Sequence, residues 1–416
     1  MVEPDTSTRT PAPIGAAVPL RFIFFFATIS AFMASTHGYL GWRLGRSLPP
    51  HRRKRLWALA ALSAVALPGG LIASRLVASP ALATALAWVT YVHMGLFTLL
   101  LASVLAFDVV VGLLALGDHL AHRLGGRRPL EDMLPAQPER RQALLRGAHL
   151  GLIGLTGVQG GAGFAWSQRA LAVREVEVPI TGLDPSLAGL RIVQLTDVHV
   201  GSLIRADFVR EMVDKVNALS PDLIAITGDL VDGSVPELGA HTAPLADLRS
   251  RHGSFFCTGN HEYYSGVHPW VDELRRLGIT VLLNEHVTVD HGGAAMVVAG
   301  VTDLHAEGIE PAHTPDLAAA VDGAPDGAFR LLLAHQPGAI VEGPAHQIDL
   351  QLSGHTHGGQ YFPGTLLVHL AHPYVRDLHL HEGRTWIYVS CGTGFWGPPM
   401  RLGTTAEITL LTLRRA

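Results

Sequence analysis

Cysteine is nearly absent from this chain of 416 residues, with only Cys257 and Cys391 present. No disulfide framework can be built from two residues; because both follow apparent strands, they allow either one disulfide in an oxidising compartment or two unpaired core thiols. A strong charge of one sign is missing as well. Lys and Arg total 31 against 35 Asp and Glu, leaving −4, too small to imply a nucleic-acid partner. No internal repeat is evident, Pro-rich sequence is confined to the N-terminal tail, and no G-x-S-x-G elbow marks a serine nucleophile.

Long apolar runs are plentiful, but only in one half. Before position 170 the chain is dominated by Ala, Leu, Gly, Val and Phe; after it, Asp, Glu and most of the His appear. A helix crosses a bilayer core with about 20 apolar residues, and the segments 20–42, 57–76, 82–116 and 147–167 meet that length. Phe22 to Ala31 and Leu96 to Val111 are apolar on nearly every face, unlike an amphipathic soluble helix. The third run exceeds one span, so it tilts or continues past the membrane with Asp108 facing other helices or an aqueous pocket. The expected organisation is a tail over 1–19, a membrane domain of about four transmembrane helices over 20–170, and a second domain over 171–416.

Basic residues orient the spans. Arg43, Arg46, Arg52, Arg53, Lys54 and Arg55 fill the first connection, and Arg123, Arg127, Arg128, Arg140, Arg141 and Arg146 the third, whereas Val77 to Ala81 carries no charge. Positive loops stay inside, so the second domain is expected outside the cytoplasm, on a multi-pass protein of the cytoplasmic membrane. A signal peptide accounts less well for residues 1–42, because three further apolar runs follow.

From about Val173 short apolar strands alternate with amphipathic helices, an α/β pattern. Phe208, Met212, Val216 and Leu219 recur at helical spacing, Pro269 to Leu277 reads as another helix, and Thr280–His291 with Ala294–Val301 reads as a hairpin closed at His291-Gly292-Gly293. Runs at Leu190–Leu195, Leu223–Ile226, Ser254–Phe256, Arg330–Leu333 and Ile348–Leu352 read as buried strands. Each is trailed by a polar cluster: Asp197 with His199, Asp229 with Asp232, Asn260 with His261, His335, and His355 with His357. Side chains at strand ends are where α/β sheets bind ligands. Carboxylates, imidazoles and an amide oxygen are donors for divalent cations, and the His beside Asn260 is suited to donate a proton to a leaving oxygen. The bland readings are a surface Asp near a His, an acidic turn and a solvated His loop.

The ordered set D-x-H, G-D-x-x-D, G-N-H-E, a lone His and G-H-T-H resembles the calcineurin-like metallophosphoesterases, over roughly residues 187–412. Leu352 to Gln360 is most similar to a membrane-associated bacterial branch. The resemblance implies a calcineurin-like α/β/β/α sandwich preceded by the α-helical transmembrane domain, and two divalent ions, with Mn, Fe or Zn favoured and Ni or Co also compatible. It implies that Asp197, His199 and His357 hold one ion and Asn260, His335 and His355 the other, with Asp229 between them. His261 would be the general acid and Asp232 its orienting partner. Metal-activated hydroxide would attack phosphorus directly, without a phosphoenzyme.

Among residues outside that set, His305, Tyr263 and Tyr264 read either as substrate neighbours or as ordinary loop and core residues, and Phe395 and Trp396 read first as packing and second as a contact for an apolar group of the substrate or for the membrane surface. Gly233 stands where Ser/Thr protein phosphatases commonly carry Arg, which points to a phosphodiester or pyrophosphate rather than a phosphoprotein. A phosphoester substrate and the bilayer are the expected partners, with no nucleic acid; membrane attachment suggests a lipid-linked substrate, or simply localises a broad enzyme. The rivals are a UDP-sugar-lipid pyrophosphatase, which ordinarily requires a cytoplasmic site, and a non-catalytic metal-binding membrane protein.

Overall fold

A computed structural model describes residues 20–124 and 137–416. The tail 1–19 and the basic residues Arg127 and Arg128 lie outside the described residues. Long helices come first: α1 (Leu20–Gly45), α2 (Pro50–Leu76), α3 (Pro80–Arg123) and α4 (Pro138–Ser167). The run expected to exceed one span is a single helix of 44 residues, about 66 Å at 1.5 Å per residue. Among the described residues, α2 and α3 are long and apolar enough to cross a membrane; α1 and α4 coincide with the first and last apolar runs.

Chain contacts divide the protein into two compact units. One draws on Met1–Pro68 and Glu131–His149. Within it, His149 of α4 bonds Arg43 Nη1 and Ser47 Oγ, both at 3.0 Å, and His37 of α1 bonds Ser63 of α2 at 2.9 Å.

The other unit draws on Gly69–Leu130 and Leu150–Ala416 and contains a sandwich of two six-stranded sheets. Its elements are β1 (Ala172–Ile180), β2 (Arg191–Leu195), α5 (Ala206–Ala218), β3 (Leu223–Thr227), α6 (Val235–Thr242), β4 (Ser254–Cys257), α7 (Asn260–Ser265), α8 (Val267–Arg276), β5 (Thr280–Val281), β6 (Glu285–His291), β7 (Ala294–Gly300), β8 (Phe329–Leu333), β9 (Leu350–Ser353), β10 (Asp377–His381), β11 (Thr385–Val389) and β12 (Glu407–Arg415). The sheet orders are β1-β12-β2-β3-β4-β5 and β10-β11-β9-β8-β7-β6.

The strands read as continuous apolar runs because both faces are covered. On β2, Ile192 enters the core between the sheets with Leu223, Leu331 and Leu350, while Val193 and Leu195 face Val209 and Met212 of α5 and Trp270 and Leu274 of α8. On β8, Leu331 and Leu333 point inward and Leu332 outward to Leu317 and Ala320. This is the expected calcineurin-like α/β/β/α arrangement.

One expectation requires correction. Thr280–His291 is not one strand: β5 pairs with β4 in the first sheet, and β6 pairs antiparallel with β7 in the second. Asn284 makes the break, with φ of 58° and a side-chain oxygen accepting from Thr302 N and Asp316 N. The predicted turn does form at Gly292 and Gly293, both with positive φ, as a two-residue hairpin connection of this kind requires. Cys257 and Cys391 are both buried free thiols, which decides against the disulfide alternative.

Candidate metal centre

Strands β2, β3 and β4 run parallel in one sheet, and β8 and β9 run parallel in the other. Their carboxyl ends deliver every predicted donor to one region. The loop after β2 zips onto the loop after β3, with Asp197 N donating to Gly228 O and His199 N to Asp229 O, each at 3.1 Å. Asp197, His199, Asp229, His355 and His357 all have φ between 49° and 67°. Non-glycine residues adopt that region at an energetic cost, and such strain concentrates at functional sites.

Two glycines explain their motif positions by sterics. A Cβ on Gly259 would lie 2.2 Å from Asp229 Oδ1, and one on Gly354 would lie 2.1 Å from Asp197 Oδ2. Their bare backbones let one loop pass directly over the carboxylate of another.

Donor atoms form two groups joined through one carboxylate. In the first, Asp197, His199 and His357 each offer an atom within 4.8 Å of the others; His357 Nε2 is 3.3 Å from Asp197 Oδ1 and 3.2 Å from His199 Nε2. In the second, Asp229, His335 and His355 do the same, with His335 Nε2 3.1 Å from both Asp229 Oδ2 and His355 Nδ1. Asp229 Oδ2 is also 3.9 Å from His199 Nε2, so it faces both groups. Asn260 Oδ1 is buried with no hydrogen-bond partner. An orphaned buried acceptor is costly, and a cation beside it would satisfy it. The donor set fits a pair of divalent ions.

Surrounding contacts orient these donors. His335 Nδ1 donates to Thr227 O at 2.8 Å, leaving Nε2 toward Asp229. Asp232 Oδ1 accepts from Nδ1 of both His199 (2.9 Å) and His261 (2.7 Å). His261 Nε2 stands 4.0 Å from Asp229 Oδ2. The sequence expectation tied Asp232 to His261 alone; the structure couples it to His199 as well.

Charge is distributed unevenly among the imidazoles. Burial drives His355 down to about 3, assisted by neighbouring His335, and burial with His199 and Arg401 alongside drives His357 well below its usual range. Both remain neutral with a lone pair to offer. Burial opposes charge on His199 too, but Asp232, Asp229 and Asp197 overcome it and raise this group to about 9. His335 is likewise held well above its usual value, against burial, by Asp229.

Sequence reasoning passed over two contributors and ranked a third as packing. Glu262, read only as part of its motif, accepts from Gly259 N (2.7 Å), Asp229 N (3.0 Å) and Leu230 N (2.8 Å), stitching α7 to the Asp229 loop. Arg401 is completely buried, 3.4 Å from His357 Nδ1, and no motif surrounds it. Trp396, expected to pack, is 54 % exposed and meets the His261 ring edge-on at 5.6 Å. Tyr264 does the same at 5.3 Å, whereas Tyr263 is buried. His305 is exposed, its ring 6.5 Å from that of His355.

Residues 190–359 match the family model described as calcineurin-like phosphoesterase. An uncharacterised metallophosphoesterase of Helicobacter pylori strain J99 is 40 % identical over 284 residues, covering 68 % of this chain and 74 % of that protein. Relatives called transmembrane protein with metallophosphoesterase domain are 39 % identical in Danio rerio and 42 % in Bos taurus, each aligned over 59 % of this chain and 57 % of its own length. Close relatives thus occur in bacteria and vertebrates, and the chain spans little more than half of the vertebrate proteins. With its motifs in order, its donors gathered and a relative matched over most of its length, the chain belongs to the calcineurin-like phosphoesterases, a family of metal-dependent phosphoester hydrolases.

Proposed function

We propose that this protein is a multi-pass membrane phosphoesterase with a dinuclear centre, acting on phosphodiester or pyrophosphate bonds in lipid-linked molecules. Asp197, His199 and His357 would hold one ion and Asn260, His335 and His355 the other, with Asp229 placed to serve both; carboxylate, imidazole and amide donors together suit Mn, Fe or Zn. The observation that carries this reading is Asp229 Oδ2 facing His335 Nε2 at 3.1 Å and His199 Nε2 at 3.9 Å, beside the orphaned amide oxygen of Asn260. Bound ions supply charge for phosphoryl oxygens and a water of lowered pKa. His261 lines the cavity with Nε2 4.0 Å from Asp229 Oδ2 and donates its proton to the leaving oxygen. Asp232 holds the opposite ring nitrogen and so fixes the ring's tautomer and direction.

Gly233 follows Asp232 without a side chain to grip a monoester dianion, which favours a diester or a disubstituted pyrophosphate, each with a single charge per phosphorus. The basic residues flanking α1, α2 and α3 favour an extracytoplasmic catalytic half.

Purified full-length protein, stripped of metal and resupplied separately with Mn, Zn, Fe, Ni or Co, tests the reading on bis-p-nitrophenyl phosphate beside p-nitrophenyl phosphate. Metal-restored diester turnover, abolished by Asp229→Ala or His357→Ala, is expected. Monoester preference would return the protein to the phosphatases, and undiminished turnover by either variant would sink the metal site.

A further inference from the structure

A cavity of about 490 Å³ opens beside the metal centre, with His261, Asp232 and Gly233 on one side. Its opposite side does not come from the sandwich. Arg75, in the last turn of α2, and Tyr91 of α3 line it. Arg75 is the only Lys or Arg among the described lining residues, facing the acids Asp232 and Glu237, and it forms no salt bridge with any described residue. Arg75 is the permanent cation of this lining, whereas the charge on His199 and His261 depends on their protons, and a guanidinium is shaped to grip phosphoryl oxygens.

The helix pair is held against the catalytic loops. Added Cβ atoms show how close the approach is: one on Gly95 of α3 would lie 2.6 Å from Met400 Sδ, and one on Gly397 would lie 3.4 Å from Met94 Cε. On α2, a Cβ at Gly70 would lie 2.2 Å from Thr90 Oγ1 of α3. Arg75 and Tyr91 are therefore set by packing rather than by a loose tether. Leu203, Ile204, Phe395 and Trp396 add apolar surface to the cavity lining, and Ile72, three residues before Arg75 and so on a neighbouring face of α2, is exposed. One arginine, polar side chains and apolar side chains around a single cavity suit an amphiphile.

We infer that Arg75 and Tyr91 are substrate-binding residues, and that the substrate is an amphiphilic phosphoester whose phosphoryl group is gripped by Arg75 while its apolar chain leaves along α2 and α3. The inference rests on the phosphoesterase reading above and gives the membrane helices a part in the binding site. An arginine at the end of an apolar helix also serves as an interfacial anchor; that role alters insertion but not a Michaelis constant.

Methyl p-nitrophenyl phosphate and hexadecyl p-nitrophenyl phosphate share one scissile bond and differ only in chain, so they separate the two parts of the inference. Full-length protein in mixed micelles is expected to turn over the hexadecyl ester with kcat/KM at least tenfold above the methyl ester, and Tyr91→Ala to erase most of that preference. Arg75→Ala should raise KM about tenfold for both esters with kcat and bound metal nearly unchanged, and Arg75→Lys should recover much of the loss. Equal kcat/KM for the two esters in wild type overturns the amphiphile, and an unchanged KM in correctly inserted Arg75→Ala overturns the arginine's role. Turnover of neither ester by metal-loaded wild type overturns the phosphoesterase reading itself, and this inference with it.

Discussion

His199 and His261 share a single carboxylate oxygen of Asp232, so one residue positions both a proposed ligand and the proposed acid. Replacing His261 by Ala is expected to leave bound metal intact while turnover falls 10²–10⁴-fold, the span general acid catalysis commonly supplies; loss of metal would count against the acid role. His199 yields a pH prediction. Its folded-state value is raised from 6.5 to about 9, so in metal-stripped protein this imidazolium contributes stability that is fully present below pH 6.5 and disappears as pH rises through 9. His335, raised for the same reason by Asp229, acts in the same direction. Cations held by these imidazoles would displace both protons on binding. The melting temperature of loaded protein should therefore separate further from that of stripped protein between pH 6.5 and 9, and scanning calorimetry at a series of pH values measures the gap. A constant or narrowing gap would contradict it.

Strand ends and short helices bring the donors together because their connections are tight. Gly259 caps α7 at an ordinary negative φ of −102°, so its substitution tests sterics without backbone strain. Gly259→Ala places a methyl 2.2 Å from Asp229 Oδ1 and 2.6 Å from Asp229 N. Metal content and turnover should both fall, with about 1–3 kcal/mol of stability lost to overpacking. Metal analysis and thermal unfolding read the two effects separately, and a fully loaded variant of normal stability would refute the steric account. The α/β pattern, most strand positions and helices α5 and α8 were legible in the sequence, because burial on two faces produces apolar runs and burial on one produces helical spacing. Thr280–His291 was not, since its apolar residues serve different sheets and the break lies in the φ of Asn284.

For the whole chain, apolar helices and a metal-dependent hydrolase fold occur on one polypeptide. Arg43, Arg46 and the residues from Arg52 to Arg55 bracket the start of α2, and Arg140, Arg141 and Arg146 occupy the beginning of α4. If these face the cytoplasm, protease added to intact spheroplasts should cleave within 171–416, while a tag placed after α1 stays protected until lysis. The reverse pattern would move the catalytic half inside and favour the UDP-sugar-lipid pyrophosphatase alternative.

Family membership was readable from residue type and order alone: D-x-H, G-D-x-x-D, G-N-H-E, His and G-H-T-H name the proposed donors, and a donor's type does not depend on its neighbours. The apolar runs were equally plain, because a bilayer selects length and composition. Contacts between residues far apart in the chain were not. Arg401 beside His357, Asp232 shared by two imidazoles, the three amides gathered by Glu262, and Arg75 across a cavity from His261 all arise where separate elements pack. Each of these residues is locally unremarkable, and its surroundings exist only once the loops and helices are assembled.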